Sequence, residues 1–302
     1  MERWKYKFRK LINKKILLPL FFLLIAILNW DKCSNKQNVY YYEPSIHLFL
    51  TEQNKCINMP LEEYLIGCVA AEMPSLFEEE ALKAQAVCAR TYALRKFLDG
   101  AKYSGGADLS DNPNDCQAYI DEKTFNQRHS DKSKLLYSKI ITAVQETRGI
   151  IITYQGEPID ALYHSTCGGK TESAGQVWGK DIPYLRGVKC DYCKGSAYYQ
   201  KRQEFSWERV RDSLRLAEDA AGVKVMATTD SGRIKTLAIG NQKISAEKLR
   251  QSLNLPSVWL DIKAGKNKLL INSRGYGHGV GMCQFGANGL AEQGNDYKKI
   301  LR

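Results

Sequence analysis

The chain has 302 residues, 44% of them hydrophobic and 25% charged, with a formal net charge of +11. That is the composition of a folded protein, long enough for one large domain or two small ones. The charge is uneven: residues 1–15 hold seven Lys/Arg and one acid, so +6 sits there and +5 on the other 287 residues. A mildly basic body with no arginine-rich helix or nucleic-acid motif suits an acidic surface or polymer and argues against nucleic acid as a partner.

The basic start is followed by ILLPLFFLLIAILNW, fifteen residues with only Asn29 polar. A free-standing span needs about 20 apolar residues, so the segment reads as a signal peptide or short signal anchor with its positive end in the cytoplasm. No small-x-small cleavage site follows, and Cys33 lacks the small residue that precedes a lipoprotein cysteine. The expectation is an uncleaved single-pass anchor over residues 1–30, with residues 31–302 outside the cell membrane. A cleaved signal is the alternative.

After a Tyr-rich stretch with a possible strand at Ile46–Leu50, Pro60 opens a helix. There Leu61, Tyr64, Leu65, Cys68 and Val69 follow the i, i+3, i+4, i+7, i+8 rule, and Pro74 ends it. A second helix, Glu78 to Leu98, is alanine-rich and closed by Gly100. Residues 100–133 read as a long polar loop, which in a compact chain is usually functional or disordered. A helix at Lys134–Thr147 and a hairpin of Gly149–Tyr154 with Ile159–His164 follow, then a glycine-dotted connection over 165–200. Next come a helix at Phe205–Ala217, a hairpin of Val223–Thr229 with Ile234–Ile239 and a helix capped by Ser245. A hairpin of Trp259–Ile262 with Lys268–Ile271 and a helix from Met282 to Gln293 finish the chain. No internal repeat is read. Helices first and hairpins after predict an α+β domain, mixed helices and antiparallel hairpins around one cleft.

Three islands carry chemistry: CVAAEMP with the following ALKAQAVCARTYAL, then ALYHSTCGGKTESAGQVWGKDIPYL, then RGYGHGVGMCQFGANGLA. Glu72 sits in an apolar run at the last turn of its helix. The negative end of the helix dipole and the loss of water to Val69, Met73 and Leu76 both raise a carboxyl pKa, as a general acid near neutral pH requires. A structural ion pair with Arg90 or Arg95 is the competing reading. Gln85 and Arg90 punctuate the alanine-rich helix and either line a site or face solvent. Tyr163, His164, Ser165 and Thr166 end a strand before Gly168-Gly169, where backbone N–H groups could cradle oxygens. His164 then orients a sugar or is a structural histidine. GYGHGVG is neither a dinucleotide fingerprint nor a phosphate loop; its glycines allow close approach of main chain, with His278 at the centre.

The nine cysteines are an odd, scattered set, unlike a disulfide scaffold. Cys190 and Cys193 form a CxxC that, with Cys167, suits a structural zinc better than a redox pair. Cys116 is the expected fourth ligand and His164 the alternative. A Cys190–Cys193 disulfide or free thiols remain open.

Taken in order, the three islands and the DYKKIL-like end resemble the stage II sporulation protein D family of spore-forming bacteria, which includes proteins called amidase enhancers; the match covers roughly residues 45–302. The resemblance implies a lytic transglycosylase that cleaves the β-1,4 MurNAc–GlcNAc bond of peptidoglycan, with Glu72 as acid/base and no cofactor needed for catalysis. It also implies that His164, Ser165, Thr166 and His278 line the glycan groove; Gln85, Arg90, Tyr163 and Gln284 complete the expected substrate-binding set. The implied partners are peptide-stripped glycan strands, a membrane-bound sporulation amidase and other engulfment proteins. The implied place is the septal, forespore-engulfing membrane of the mother cell.

Overall fold

The computed structural model describes residues 43–302 apart from residue 101, and these belong to a unit spanning Glu43–Arg302. The basic segment and the anchor expected over residues 1–30 lie outside the described residues. No helix among the described residues is long and apolar enough to cross a membrane.

Strands β1 (Ser45–Leu50) and β2 (Lys55–Pro60) pair as an antiparallel hairpin. Ile46, Leu48 and Leu50 alternate onto the buried face of β1, as period-2 patterning requires. Pro60 leads into helix α1 (Leu61–Glu72), whose five predicted apolar positions are all buried. Met73 is already extended and Pro74 blocks continuation. Helix α2 (Glu79–Leu98) is the central element. Its alanines let α1 approach on one side and α4 (Ser133–Glu146) on another. Glu79 and Glu80 in its first turn complement the dipole and also hold Lys83, which reaches Glu146 of α4.

The segment read as a polar loop over 100–133 is ordered. It contributes strand β3 (Leu109–Ser110), parallel to β1, and helix α3 (Glu122–His129), capped by Asp121. Phe125 is its buried anchor, between His129 and Tyr137. The expected hairpin over 149–164 is shorter than read: β4 (Thr153–Tyr154) pairs with β5 (Glu157–Pro158) alone. Strand β6 (Tyr163–His164) instead pairs in parallel with β13 (Met282–Cys283), which leads into helix α8 (Gln284–Ala291). The second and third islands are thus joined by a ladder that no local pattern announces. Between them lies a short helix, α5 (Ala174–Trp178). A last helix, α9 (Tyr297–Ile300), packs on α2 and α8.

Residues 201–273 form an inserted lobe with its own core. It runs β7 (Lys201–Ser206), α6 (Trp207–Leu214), β8 (Val223–Thr228), β9 (Ile234–Ile239), β10 (Gln242–Ser245), α7 (Ala246–Leu253), β11 (Leu260–Ala264) and β12 (Lys268–Ser273). The helix expected at Phe205–Ala217 begins only at Trp207, because Ser206 caps it by accepting from the Arg209 N–H; the preceding residues form β7.

This lobe is an internal repeat, contrary to the expectation of none. SWERVRDSLRL at 206–216 and SAEKLRQSLNL at 245–255 agree at Ser, Glu, Arg, Ser, Leu and Leu, 39 positions apart. Each copy is a strand, a serine cap, an eight-residue helix and a left-handed terminal residue, Arg215 or Asn254. In both, the N–H of the next leucine returns to an arginine carbonyl, Leu216 to Arg211 and Leu255 to Arg250. The copies exchange their first strands: β10 pairs with β9, and β7 pairs with β12. Each three-stranded sheet is therefore one copy's hairpin plus the other copy's opening strand.

Candidate active site

Glu72 is half-buried at the end of α1. Its Oε1 accepts a 2.6 Å hydrogen bond from the Ala118 N–H, and the Tyr163 hydroxyl, whose proton goes to Gln117, lies beside the same carboxyl. Burial is the larger influence and raises its pKa above the usual 4.5, with the Ala118 N–H and the Tyr163 hydroxyl pulling the other way. The ion pair considered from sequence is absent: Arg90 is held by Glu62 and Arg95 by Asp99. Leu76 contributes nothing to the desolvation, being 74% exposed.

The Ala118 donor arrives on the segment after β3. Gly67 on α1 makes room for it: a Cβ there would lie 2.3 Å from the Tyr119 ring and 2.5 Å from the Ile120 carbonyl. The Ile120 N–H bonds to the Gly67 carbonyl at 3.3 Å. Gln117 fastens the same segment from behind, donating to the Tyr64 hydroxyl and the Ala89 carbonyl while accepting from Tyr163 at 2.9 Å. Gln117 and Ala118 escaped the sequence reading; the long polar loop around them was the signal. A pocket of about 640 Å³ lies against this segment, lined by Ala71, Ala118, Tyr119, Asp121, Lys55 and Arg128 among others.

The third island reaches Glu72 through its backbone. Gln284 Nε2 donates to the Glu72 carbonyl at 2.8 Å and to Gln85 Oε1 at 3.1 Å. This satisfies a helix-terminal carbonyl that would otherwise lack a partner. Gln85 is 0% exposed, so both amides hold the end of α1 from inside rather than present themselves to a ligand. The glycine-rich GYGHGVG segment lies flush against the second island. At Gly281, φ is +76°, and a Cβ would sit 2.1 Å from the Leu162 carbonyl, so only glycine fits.

Tyr163 and His164 are neighbours on β6 and face opposite ways. Tyr163 looks toward Glu72 and Gln117, while His164 looks toward Val280, His278 and Arg233. His164 is 4% exposed, and burial pushes its pKa down to about 3. Its Nδ1 donates to the Val280 carbonyl, which leaves Nε2 buried without a partner. His278 accepts from the Val280 N–H through Nδ1 and lies near the Tyr163 backbone; burial lowers its pKa to about 4. Both imidazoles are neutral near pH 7. Trp178, half of it exposed, stands 5.5 Å from the His278 ring. Thr166 is buried on Ser196 at 2.7 Å, whereas Ser165 is only half-buried.

Arg90 is not at the site. It is almost fully buried, clamps both oxygens of Glu62 at 2.7 Å and donates to the Val144 and Ile150 carbonyls. Its role is to tie α1, α2 and the end of α4 together. A second buried pair was missed from sequence: Arg233 of the inserted lobe faces Glu172 of the second island, with Ser231 bonded to both. Arg233 also donates to the Cys167 and Lys170 carbonyls and stacks on Trp259, docking the lobe on the second island.

The thiols group differently from the expectation. Cys167, Cys190 and Cys193 do converge, but the fourth member is Cys283, and all four sulfurs lie within 4.8 Å of one another. Cys116 is elsewhere, packed on the helical core beside Tyr92 and Tyr103. His164 is not in the cluster either. Sequence spacing could not choose Cys283, because only the β6–β13 ladder brings it to Cys167.

Three similarities to known proteins bear on this arrangement. A family model described as "Stage II sporulation protein" matches residues 51–154, the part that contains α1, α2 and the segment reaching Glu72. Stage II sporulation protein D of Bacillus amyloliquefaciens is 35% identical over 262 residues, covering 85% of this chain and 76% of that protein; the Bacillus subtilis protein of the same name is 34% identical with the same coverage. A protein named amidase enhancer from Bacillus subtilis is 27% identical, covering 79% of this chain and 39% of its own length. Similarity of that extent makes this chain a member of the stage II sporulation protein D family.

Proposed function

We propose that the chain is a lytic transglycosylase that cleaves the β-1,4 MurNAc–GlcNAc bond of peptide-stripped peptidoglycan strands during spore formation. The observation that carries this reading is the setting of Glu72. It is a half-buried carboxyl with a raised pKa, the Ala118 N–H and the Tyr163 hydroxyl as polar neighbours, and no cation or second carboxylate among the groups acting on it.

Breaking a glycosidic bond requires an acid to protonate the leaving oxygen, and most glycosidases add a second carboxylate. A transglycosylase does without the second, because the C6 hydroxyl of the same sugar attacks the anomeric carbon and gains from intramolecular proximity. Protonated Glu72 gives its proton to the glycosidic oxygen as that bond breaks. Ionised Glu72 then takes the proton of the C6 hydroxyl as the new C1–O6 bond forms. Proton count is conserved, no water is consumed, and the muramic product carries a 1,6-anhydro ring. The two environmental influences suit the two halves: desolvation favours the acid form, and the Ala118 N–H and the nearby Tyr163 hydroxyl favour the carboxylate when it is made. The pocket beside Ala71 and Ala118, with polar walls and the Tyr119 ring, has the character of a sugar site.

The full chain incubated with peptide-free glycan and followed by mass spectrometry tests the proposal. Anhydro products, one water lighter than hydrolytic ones, are expected, and Glu72→Gln abolishes them while strand binding persists. Full cleavage by Glu72→Gln overturns the assignment of Glu72. The relative named amidase enhancer favours a second reading, a non-enzymatic glycan-binding module that stimulates a membrane-bound amidase; binding without any product from the wild-type chain selects it. Attachment to the cell membrane through the N-terminal segment, facing the septal wall, belongs to the same proposal.

A further inference from the structure

We propose that Cys167, Cys190, Cys193 and Cys283 bind one thiophilic divalent ion, zinc, as a four-thiolate centre that locks the second and third islands together and closes the neck of the inserted lobe.

The four thiols are free and buried, and their sulfurs lie within 4.8 Å of one another. Zinc–sulfur bonds of about 2.3 Å in a tetrahedron place sulfurs about 3.8 Å apart. The Cys167–Cys193 separation of 3.5 Å is close to that edge. Four ligands with no open position define a structural site, not a catalytic one.

The surroundings are those of thiolates. The N–H groups of Cys167 and Gly286 point at Cys283 Sγ at 3.2 and 3.3 Å, and the Gly169 N–H points at Cys167 Sγ at 3.4 Å. Such donors stabilise sulfur ligands from outside the metal sphere. Four thiolates around a dication leave a net charge of −2, and the buried Arg233 guanidinium, bonded to the Cys167 carbonyl at 2.9 Å, lies beside it.

The placement of the ligands defines the role. Cys167 lies three residues beyond the end of β6, and Cys283 is the second residue of β13, paired with His164. Its neighbours in sequence are Met282, paired with Tyr163, and Gln284, which holds the Glu72 carbonyl. The ion therefore fixes the register that aims Tyr163 at Glu72. Cys193 and Cys283 also bracket the whole lobe of residues 201–273. A cross-link closing so long a loop removes much unfolded-state freedom.

The full chain, purified under reducing conditions and exhaustively dialysed, is analysed for metal. About one zinc ion per chain is expected, retained in Cys116→Ser and lost in Cys283→Ser. A wild-type experiment needs no variant to fold: thiols are alkylated in the native chain with added zinc or with a strong chelator, and the sites are mapped by mass spectrometry. Cys167, Cys190, Cys193 and Cys283 are expected to become reactive together with chelator and protected together with zinc. Cobalt substitution is expected to give sulfur-to-cobalt charge-transfer bands. Absence of stoichiometric metal from the reduced chain, a Cys190–Cys193 disulfide, or metal loss in Cys116→Ser instead of Cys283→Ser overturns the proposal.

Discussion

Two glutamates, one hundred residues apart, occupy opposite electrostatic worlds. Glu172 lies under the inserted lobe with the Arg233 guanidinium 3.7 Å away and with Ser231, Thr229 and the Ser173 N–H around it. These partners outweigh its desolvation and pull its pKa below the usual 4.5. Glu72 is also withdrawn from water but has no cation beside it and only the Ala118 N–H and the Tyr163 hydroxyl as polar neighbours, and its pKa rises. Burial alone does not decide a carboxyl's state; the number and sign of its partners does. One residue is a charged rivet; the other is the proton carrier of the proposed reaction.

The largest expected effect is at Glu72. Because the proposal gives one residue both the acid and the base step, Glu72→Gln is expected to slow glycan cleavage by roughly 10⁴-fold, about 5.5 kcal/mol in barrier. Product mass spectrometry measures it, and the unfolding midpoint should not fall. At Glu172 the pattern reverses. Glu172→Leu strands the Arg233 charge inside the protein and is expected to cost about 3–5 kcal/mol of stability in denaturant unfolding; Glu172→Leu with Arg233→Met recovers most of it. Intermediate in size is Gly67→Ala. Its methyl group collides with Tyr119 and the Ile120 carbonyl, costs about 1–3 kcal/mol, and displaces the Ala118 N–H from Glu72, so cleavage falls more than substrate binding does. Tyr163→Phe is milder, about 1 kcal/mol. It removes a hydroxyl that lowers the Glu72 pKa, so the alkaline limb of the activity profile moves to higher pH.

The smallest effects are the pH dependences of stability, and they sharpen the contrast through their signs. A raised folded pKa means that Glu72 holds its proton more tightly when folded. Its favourable contribution is full below the usual 4.5 and is lost as pH rises through the folded value. Glu72→Gln therefore gains stability relative to wild type as pH increases. Glu172, with a lowered folded pKa, contributes above 4.5 and loses that contribution as pH falls through the folded value. Unfolding of the two variants against wild type between acid and neutral pH should yield slopes of opposite sign.

Local patterns gave away much of this molecule. The apolar spacing of α1, the acidic first turn and alanines of α2, and Ser245 as a cap are read directly from neighbouring residues, and the α+β mixture follows from them. Glu72 was legible because a carboxyl in an apolar helix end is anomalous in itself. The rest rests on long-range encounters. Arg90 meets Glu62 across 28 positions, the β6–β13 ladder joins residues about 120 apart, and Cys283 is recruited by that ladder. Strand β7 was hidden because KRQEFS is charged, with only Phe205 fully buried; it becomes a strand by pairing with β12. The repeat was masked by its offset of 39 positions and by the differing hairpins that follow each helix.

The strand exchange in the inserted lobe bears on synthesis. A chain emerging from the ribosome N-terminus first makes β7 long before residue 268, where its partner begins. In that interval β7 is an open edge able to recruit strands of other nascent chains. Lys201, Arg202 and Glu204, all exposed in the finished lobe, place charge along it and act as its guard until β12 arrives.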